Sequence, residues 1–413
     1  MNRKQLTLLL FLLIVVGIGG LLVYTRQNDF ANTGDSALGK KLVGNLPVND
    51  IAHISLSQDT NELNLVKKDG LWRVRERNDY PANYSQITEF LLKLADLKIV
   101  QSEEVGPSQL PRLALVPGHG TNAALVVEFK DQNEKPIQSL LLGKQHMQKS
   151  SRPSPMGDMG EGGWPDGRYV KVGAKSGTVD LVSEPFSNIE PKPDQWLNKD
   201  FFKVDKIRAI SVNYPVATNS WKVTRDAETA EWKLADAKPG EQLDSSKTSG
   251  LANPLSSPSF SDVDSALKPN QLDKPTVITL NTFDNFTYTL DVGQKTNDNY
   301  PLAVSVAADL PKERTPGKDE KPADKARLDK EFKDNQTKLE DKLAQEKAYG
   351  NWVYLVSSWT LDPLLKERSQ LLVEKKDEPK KENKVAGPST ALKPLGSLSD
   401  AATNAGPTAA RAN

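Results

Sequence analysis

Hydrophobic and polar positions along the chain fall into three regimes: one continuous apolar run, two stretches of strand-like alternation, and polar segments without a period. The run covers residues 6–24, LTLLLFLLIVVGIGGLLVY, opening at Leu6 and closing at Tyr24, directly after Arg3 and Lys4. As a helix rising about 1.5 Å per residue it spans roughly 28 Å, close to the hydrocarbon thickness of a bilayer. No charge lies inside it, so it reads as a transmembrane anchor. A cleaved signal peptide with Gly17-Ile18-Gly19 as its small-residue site is the rival reading, but Leu21, Leu22 and Val23 carry the apolar run past any such cut. Arg3 and Lys4 place residues 1–5 in the cytoplasm and the body outside. The expected location is the bacterial inner membrane, single-pass, with a periplasmic body.

Residues 25–47 are polar with scattered Gly and read as a linker. Alternation then begins. Ile51-Ala52-His53-Ile54-Ser55-Leu56 and Leu63-Asn64-Leu65-Val66 read as half-buried strands, and Lys68-Asp69-Gly70 as a turn into Leu71-Trp72-Arg73-Val74. A helix follows, with Asn83 as N-cap, Gln86 as its capping-box partner, and Ile87, Phe90, Leu91, Leu94 and Leu97 on one face. Residues 125–129 and 137–142, the latter ending at Gly143, predict a hairpin, and residues 168–172 and 179–182 two further strands.

The order recurs. Ile207-Arg208-Ala209-Ile210-Ser211-Val212 repeats the first strand at an offset of 156 residues, and Trp232-Lys233-Leu234 answers Trp72-Arg73-Val74. Asp244, Leu251 and Leu255 fill the helix slot, where Gly250, Pro254 and Pro258 predict a short or broken helix. Residues 276–280 and 286–292 answer the hairpin, and Trp352-Val353-Tyr354-Leu355-Val356-Ser357 the last strands. The expected fold is α+β: the anchor, then two repeated antiparallel-sheet-plus-helix modules over 48–203 and 204–372. Residues 311–350 form a charged helical insert in the second, and 373–413 a disordered tail of Lys, Glu, Pro, Ala and Ser.

Composition narrows the function classes. Its 54 basic and 54 acidic residues cancel, so no net field draws the chain to nucleic acid. Without cysteine there is no disulfide framework, lipoprotein attachment or thiolate site.

The anchor, the strand-turn-Trp opening, the Leu-rich helix and the duplicated Tyr-Val-x-Val/Leu-Val-Ser segments resemble domain-of-unknown-function family 4340, over roughly residues 48–372. That family is commonly encoded beside gliding-motility-type ABC transporter components. The resemblance therefore implies an envelope accessory protein whose partners are ABC permease and ATPase subunits, and it carries no established functional residues.

Residue chemistry gives no catalytic constellation, and the chain is read as a non-enzyme without a cofactor or metal. His53, His119 and His146 lack metal-ligand spacing and read as ordinary surface or turn histidines. Asp262 and Asp264 share one face of a strand and read as edge polarity, the alternative being paired acid/base carboxylates. Two segments are candidates for partner binding. One is the loop with Met156, Met159 and Trp164, where thioethers and an indole sit among glycines; it reads either as a grip on an apolar or protein ligand or as a plain hairpin loop, with too few ligands for copper. The other is the seam of Leu328, Phe332, Leu339 and Leu343 on the charged helix, which serves either a partner or its own domain. Together these suggest a periplasmic accessory or scaffold subunit acting through protein contacts. The alternative is a module binding lipid or a cell-wall fragment in a cleft between the repeats, lined by Trp72, Trp196, Trp232 or Trp352.

Overall fold

The computed structural model describes residues 37–120, 122–148, 163–173, 177–317 and 320–374. The apolar run 6–24, Met156, Met159 and the tail beyond residue 374 lie outside them. Among the described residues no helix is long and apolar enough to cross a membrane.

Alternation of apolar and polar residues yields two antiparallel sheets. The first contains β1 (His53–Gln58), β2 (Asn61–Lys68), β3 (Leu71–Val74) and β4 (Tyr80–Pro81). After helix α1 (Tyr84–Asp96) come β5 (Ile99–Glu104), β6 (Leu125–Lys130), β7 (Pro136–Gln148), β8 (Trp164–Val172) and β9 (Thr178–Val182). Their spatial order is β4-β3-β2-β1-β6-β7-β8-β9-β5. The second contains β10 (Ile207–Asn213), β11 (Trp221–Thr224), β12 (Lys233–Leu234), the short helix α2 (Ser245–Thr248) and β13 (Asp262–Asp264). It continues with β14 (Thr276–Thr282), β15 (Phe286–Val292), β16 (Asn299–Ala308), the 26-residue helix α3 (Pro322–Lys347) and β17 (Val353–Ser357). Its order, β12-β11-β10-β14-β15-β16-β17-β13, is that of the first sheet without β4.

Equivalent positions carry equivalent burial. Ile54 lies between Leu65 and Phe129, and Ile210 between Val223 and Leu280, all six buried. The Asn83 side chain accepts the Gln86 amide and starts α1, which buries Ile87, Phe90, Leu91 and Leu94. In the second helix slot Asp244 caps α2 through Ser246 N–H, and Leu251 and Leu255 are buried. A single buried apolar cluster runs through residues of both sheets, so their inner faces share one core.

Four local points stand out: two expectations change, and two strands form that the alternation did not mark. First, β7 runs straight through Gly143 to Gln148, with a register shift between Leu142 and Gln145. A Cβ at Gly143 would stand 2.4 Å from the Leu113 carbonyl oxygen, so the residue permits a close backbone approach inside the strand. Second, β16 forms over Asn299–Ala308, with Pro301 near its start. The Pro301 carbonyl accepts from Gly293, so its ring nitrogen faces the same side, beyond Leu302, the last residue paired with β15. Third, β5 follows α1 as an edge strand, its polar residues hiding the alternation. Fourth, the polar linker is not free along its whole length: Gly39 N–H donates to Ile99, Ile99 N–H to Lys40 and Leu42 N–H to Leu97, and Leu42 and Leu46 are buried.

Gly143→Ala is expected to destabilise the protein by about 1–3 kcal/mol, since backbone must shift to admit the methyl group. Gly293→Ala, whose methyl would meet flexible Leu272 at 3.3 Å, should cost less. Urea midpoints of the two variants check the order.

Candidate functional site

The junction between the sheets is joined by an ion pair, hydrogen bonds and aromatic contacts. Arg77, at the end of the turn after β3, forks onto Asp262 of β13, with Nε and Nη2 each 2.7 Å from a carboxylate oxygen. Both side chains are mostly buried, and the carboxylate raises the Arg77 pKa further. Beside this pair the Asn78 amide donates to Ser265, the Trp352 indole to Asn78 and the Lys199 ammonium to Ser261, all at backbone carbonyls. Tyr80 meets Trp352 edge-on at 4.9 Å, and Phe260, Tyr354, Phe201 and Tyr349 continue the aromatic contacts into the second sheet. Asp262 is thus a structural ion-pair partner. Asp264 accepts the Ala266 and Leu267 amides of the following turn.

The tryptophans expected to line a cleft serve packing. Trp72 and Trp196 are buried, with the Trp196 indole donating to Glu190. Trp232 lies under the Arg225 guanidinium at 4.6 Å, and Trp352 sits in the junction against Tyr80. Two hollows occur elsewhere. One of about 520 Å³ is lined mainly by polar residues such as Asn49, Asp50, Lys67 and Asp131 at one end of the first sheet. The other, about 490 Å³, opens between the N-terminal part of α3 and the strap around Arg314 and Glu320.

The seam on α3 divides. Leu339 and Leu343 pack against the core, followed by Glu346, which accepts the Tyr288 hydroxyl at 2.7 Å. Leu328 and Phe332 are half-buried and stand outside that cluster. Leu328 borders the hollow at the strap, which is pinned to the helix by Arg314 reaching Glu320 and Asp329. Burial holds the Glu346 carboxyl above its ordinary range. Trp164 is exposed at the start of β8, opposite Gln148.

The histidines separate three ways. His53 is buried, contrary to the surface reading: its Nδ1 lies 2.7 Å from Glu134 and its Nε2 2.8 Å from Asn64. Its exposed-looking alternation places it on the outer face of β1, where Asn64 and the Glu134 turn close over the ring. The hydrogen bond from His53 lowers the Glu134 carboxyl. His119 sits in an exposed turn, and His146 on β7 contacts Asp166 at 2.6 Å. No group of three His, Cys, Asp or Glu placed to hold a metal occurs among the described residues. The Arg368 cluster is likewise a fastening: Arg368 reaches Asp236 and Glu241, pulling the Glu241 carboxyl down to about 2.

Residues 159–275 match the family described as Domain of unknown function (DUF4340). That stretch is similar to the DUF4340 family. The matched stretch is narrower than the pattern resemblance over 48–372, and it straddles the junction: it carries β8 to β13, the connector between the sheets and Asp262, but not Arg77. Neither a curated protein nor a solved structure matches the chain.

Glu346→Gln tests the docking of α3. A carboxyl whose pKa is raised by folding favours the native state below its unfolded pKa of about 4.3 and loses that contribution as pH rises through the folded value. The variant should therefore be the more stable protein near pH ~7 and lose its advantage near pH ~4, read from urea midpoints at both pH values.

Proposed function

We infer that this protein is a membrane-tethered accessory or scaffold subunit of an envelope ABC transport system, working from the periplasmic face through protein contacts. Three features support the reading. The uncharged run over 6–24 has the length of a spanning helix. The family resemblance points to ABC components as neighbours. The two sheets, which we take as copies of one duplicated unit, close on each other through Arg77, Asp262 and the aromatic contacts and leave Trp72, Trp196, Trp232 and Trp352 in packing. A lipid or cell-wall fragment held between the repeats would need those indoles on a concave face.

The observation carrying the docking role is the division of α3. Its C-terminal part is anchored by Leu339, Leu343 and Glu346, while Leu328 and Phe332 remain half-buried on a helix covered in charge. A helix fixed at one end and apolar along one edge of the other suits helix-to-helix or helix-to-groove contact.

Affinity capture of the full-length protein from native membranes in mild detergent tests this. Permease and ATPase subunits should co-purify with the wild type. Leu328→Asp combined with Phe332→Asp should reduce their recovery at least about tenfold, the loss expected when central apolar contacts go. Recovery of the wild type alone, or unchanged recovery with the double variant, contradicts the respective parts of the reading.

A further inference from the structure

The last residues before the body are pinned where α1 passes into β5. Lys41 pairs with Lys98 across a β-bridge and reaches Asp96 at 2.9 Å, while Gly39, Lys40 and Leu42 exchange backbone hydrogen bonds with Leu97 and Ile99. Around this point the surface carries exposed apolar side chains. Leu38, Leu92 and Val100 are 44%, 55% and 52% exposed. Leu92 lies one helical turn before Asp96, the partner of Lys41, and Val100 lies two residues after Lys98, so the three surround the entry point. Lys40 and Lys98 are exposed. Among the described residues the carboxylate that Lys41 engages at the entry point is Asp96, and Lys93 on α1 is held by Glu89 and Glu184. Glu103 and Glu104 stand at the far end of β5.

Chain length says what this surface faces. Residues 25–36 separate it from the apolar run, and twelve residues reach at most about 40 Å when fully extended. Such a short tether holds the entry point against the bilayer at high effective concentration, where even weak contacts are occupied. Apolar side chains ringed by lysines fit the boundary between headgroups and acyl chains of an anionic leaflet.

We propose that the surface formed by Leu38, Lys40, Leu92, Lys98 and Val100 rests on the anionic headgroups of the bilayer that holds the anchor and so fixes the orientation of the body. This rests on the membrane-anchor reading above. The body then stands with the β5 edge of the first sheet toward the membrane, and the β3 side of that sheet, at the opposite edge, faces away.

The chain has no cysteine, so single labelling sites are clean. Full-length Val100→Cys, and Leu71→Cys on β3 as the distal control, would carry a fluorophore in nanodiscs of phosphatidylcholine with or without phosphatidylglycerol. The measurement is quenching by headgroup spin-labelled lipid. Quenching at position 100 should exceed that at 71 several-fold in the anionic discs. Reversing the lysines with Lys40→Glu and Lys98→Glu should weaken the contact, at about fivefold per lysine, and so should discs without phosphatidylglycerol. Equal quenching at 100 and 71 in anionic discs overturns the proposal. Quenching at 100 that ignores both lipid charge and lysine reversal overturns the headgroup contact. Extraction of the protein from vesicles by alkaline carbonate would instead overturn the anchor reading, independently of the quenching result.

Discussion

Closure of the seam between the two sheets is the interaction on which the rest of the structure depends. Each sheet buries one face, and the two faces share a single apolar cluster. Neither inner face is covered by its own helix alone, since α1 is 13 residues long and α2 four. The seam is also where polar chemistry has been taken out of water. A forked arginine–carboxylate pair there is a weak source of net stability and a strong source of geometry, because separating it leaves both charges poorly solvated. Aromatic edge-to-face contacts around Tyr80 add direction to the packing.

Against that shared frame the differences between the two halves locate the specialised parts. In the first half β8 and β9 are joined by a short connection, whereas in the second the corresponding strands β16 and β17 are separated by the strap and α3. In the first half β7 and β8 extend into a long arm ending at exposed Trp164, while β15 and β16 join across residues 293–298. Two sheets of like strand order with unequal insertions place the added surface on α3 and on the β7–β8 arm.

Much of the fold was legible because it depends on local period. The Asn83 cap, the apolar stripe of α1, the offset between Ile54 and Ile210, and the weak second helix all follow from spacing and capping chemistry within a few residues. The misses share a different cause. Gly143 is explained by a carbonyl thirty positions earlier in the chain, and Asp262 by an arginine 185 residues away. His53 looked solvated because its strand alternates, and only the fold brings Glu134 over it. Val100 and its polar neighbours in β5 carry no alternation at all, since an edge strand exposes what a central one buries. The seam of α3 was legible as a seam, but its division into docked and undocked halves was not, because that depends on where β16 and Tyr288 lie.

The central claim is that the two sheets form one closed body, and the separation between them tests it most directly. Spin labels on Asn61→Cys in β2 and Lys222→Cys in β11 occupy exposed positions on opposite sheets of a chain otherwise free of cysteine. Double electron–electron resonance on the full-length protein in nanodiscs should give one narrow distance distribution, unchanged by added membrane lipid extract or cell-wall fragments. A broad or two-population distribution, or one that shifts when those are added, would contradict the account and return the space between the sheets to consideration as a binding cleft.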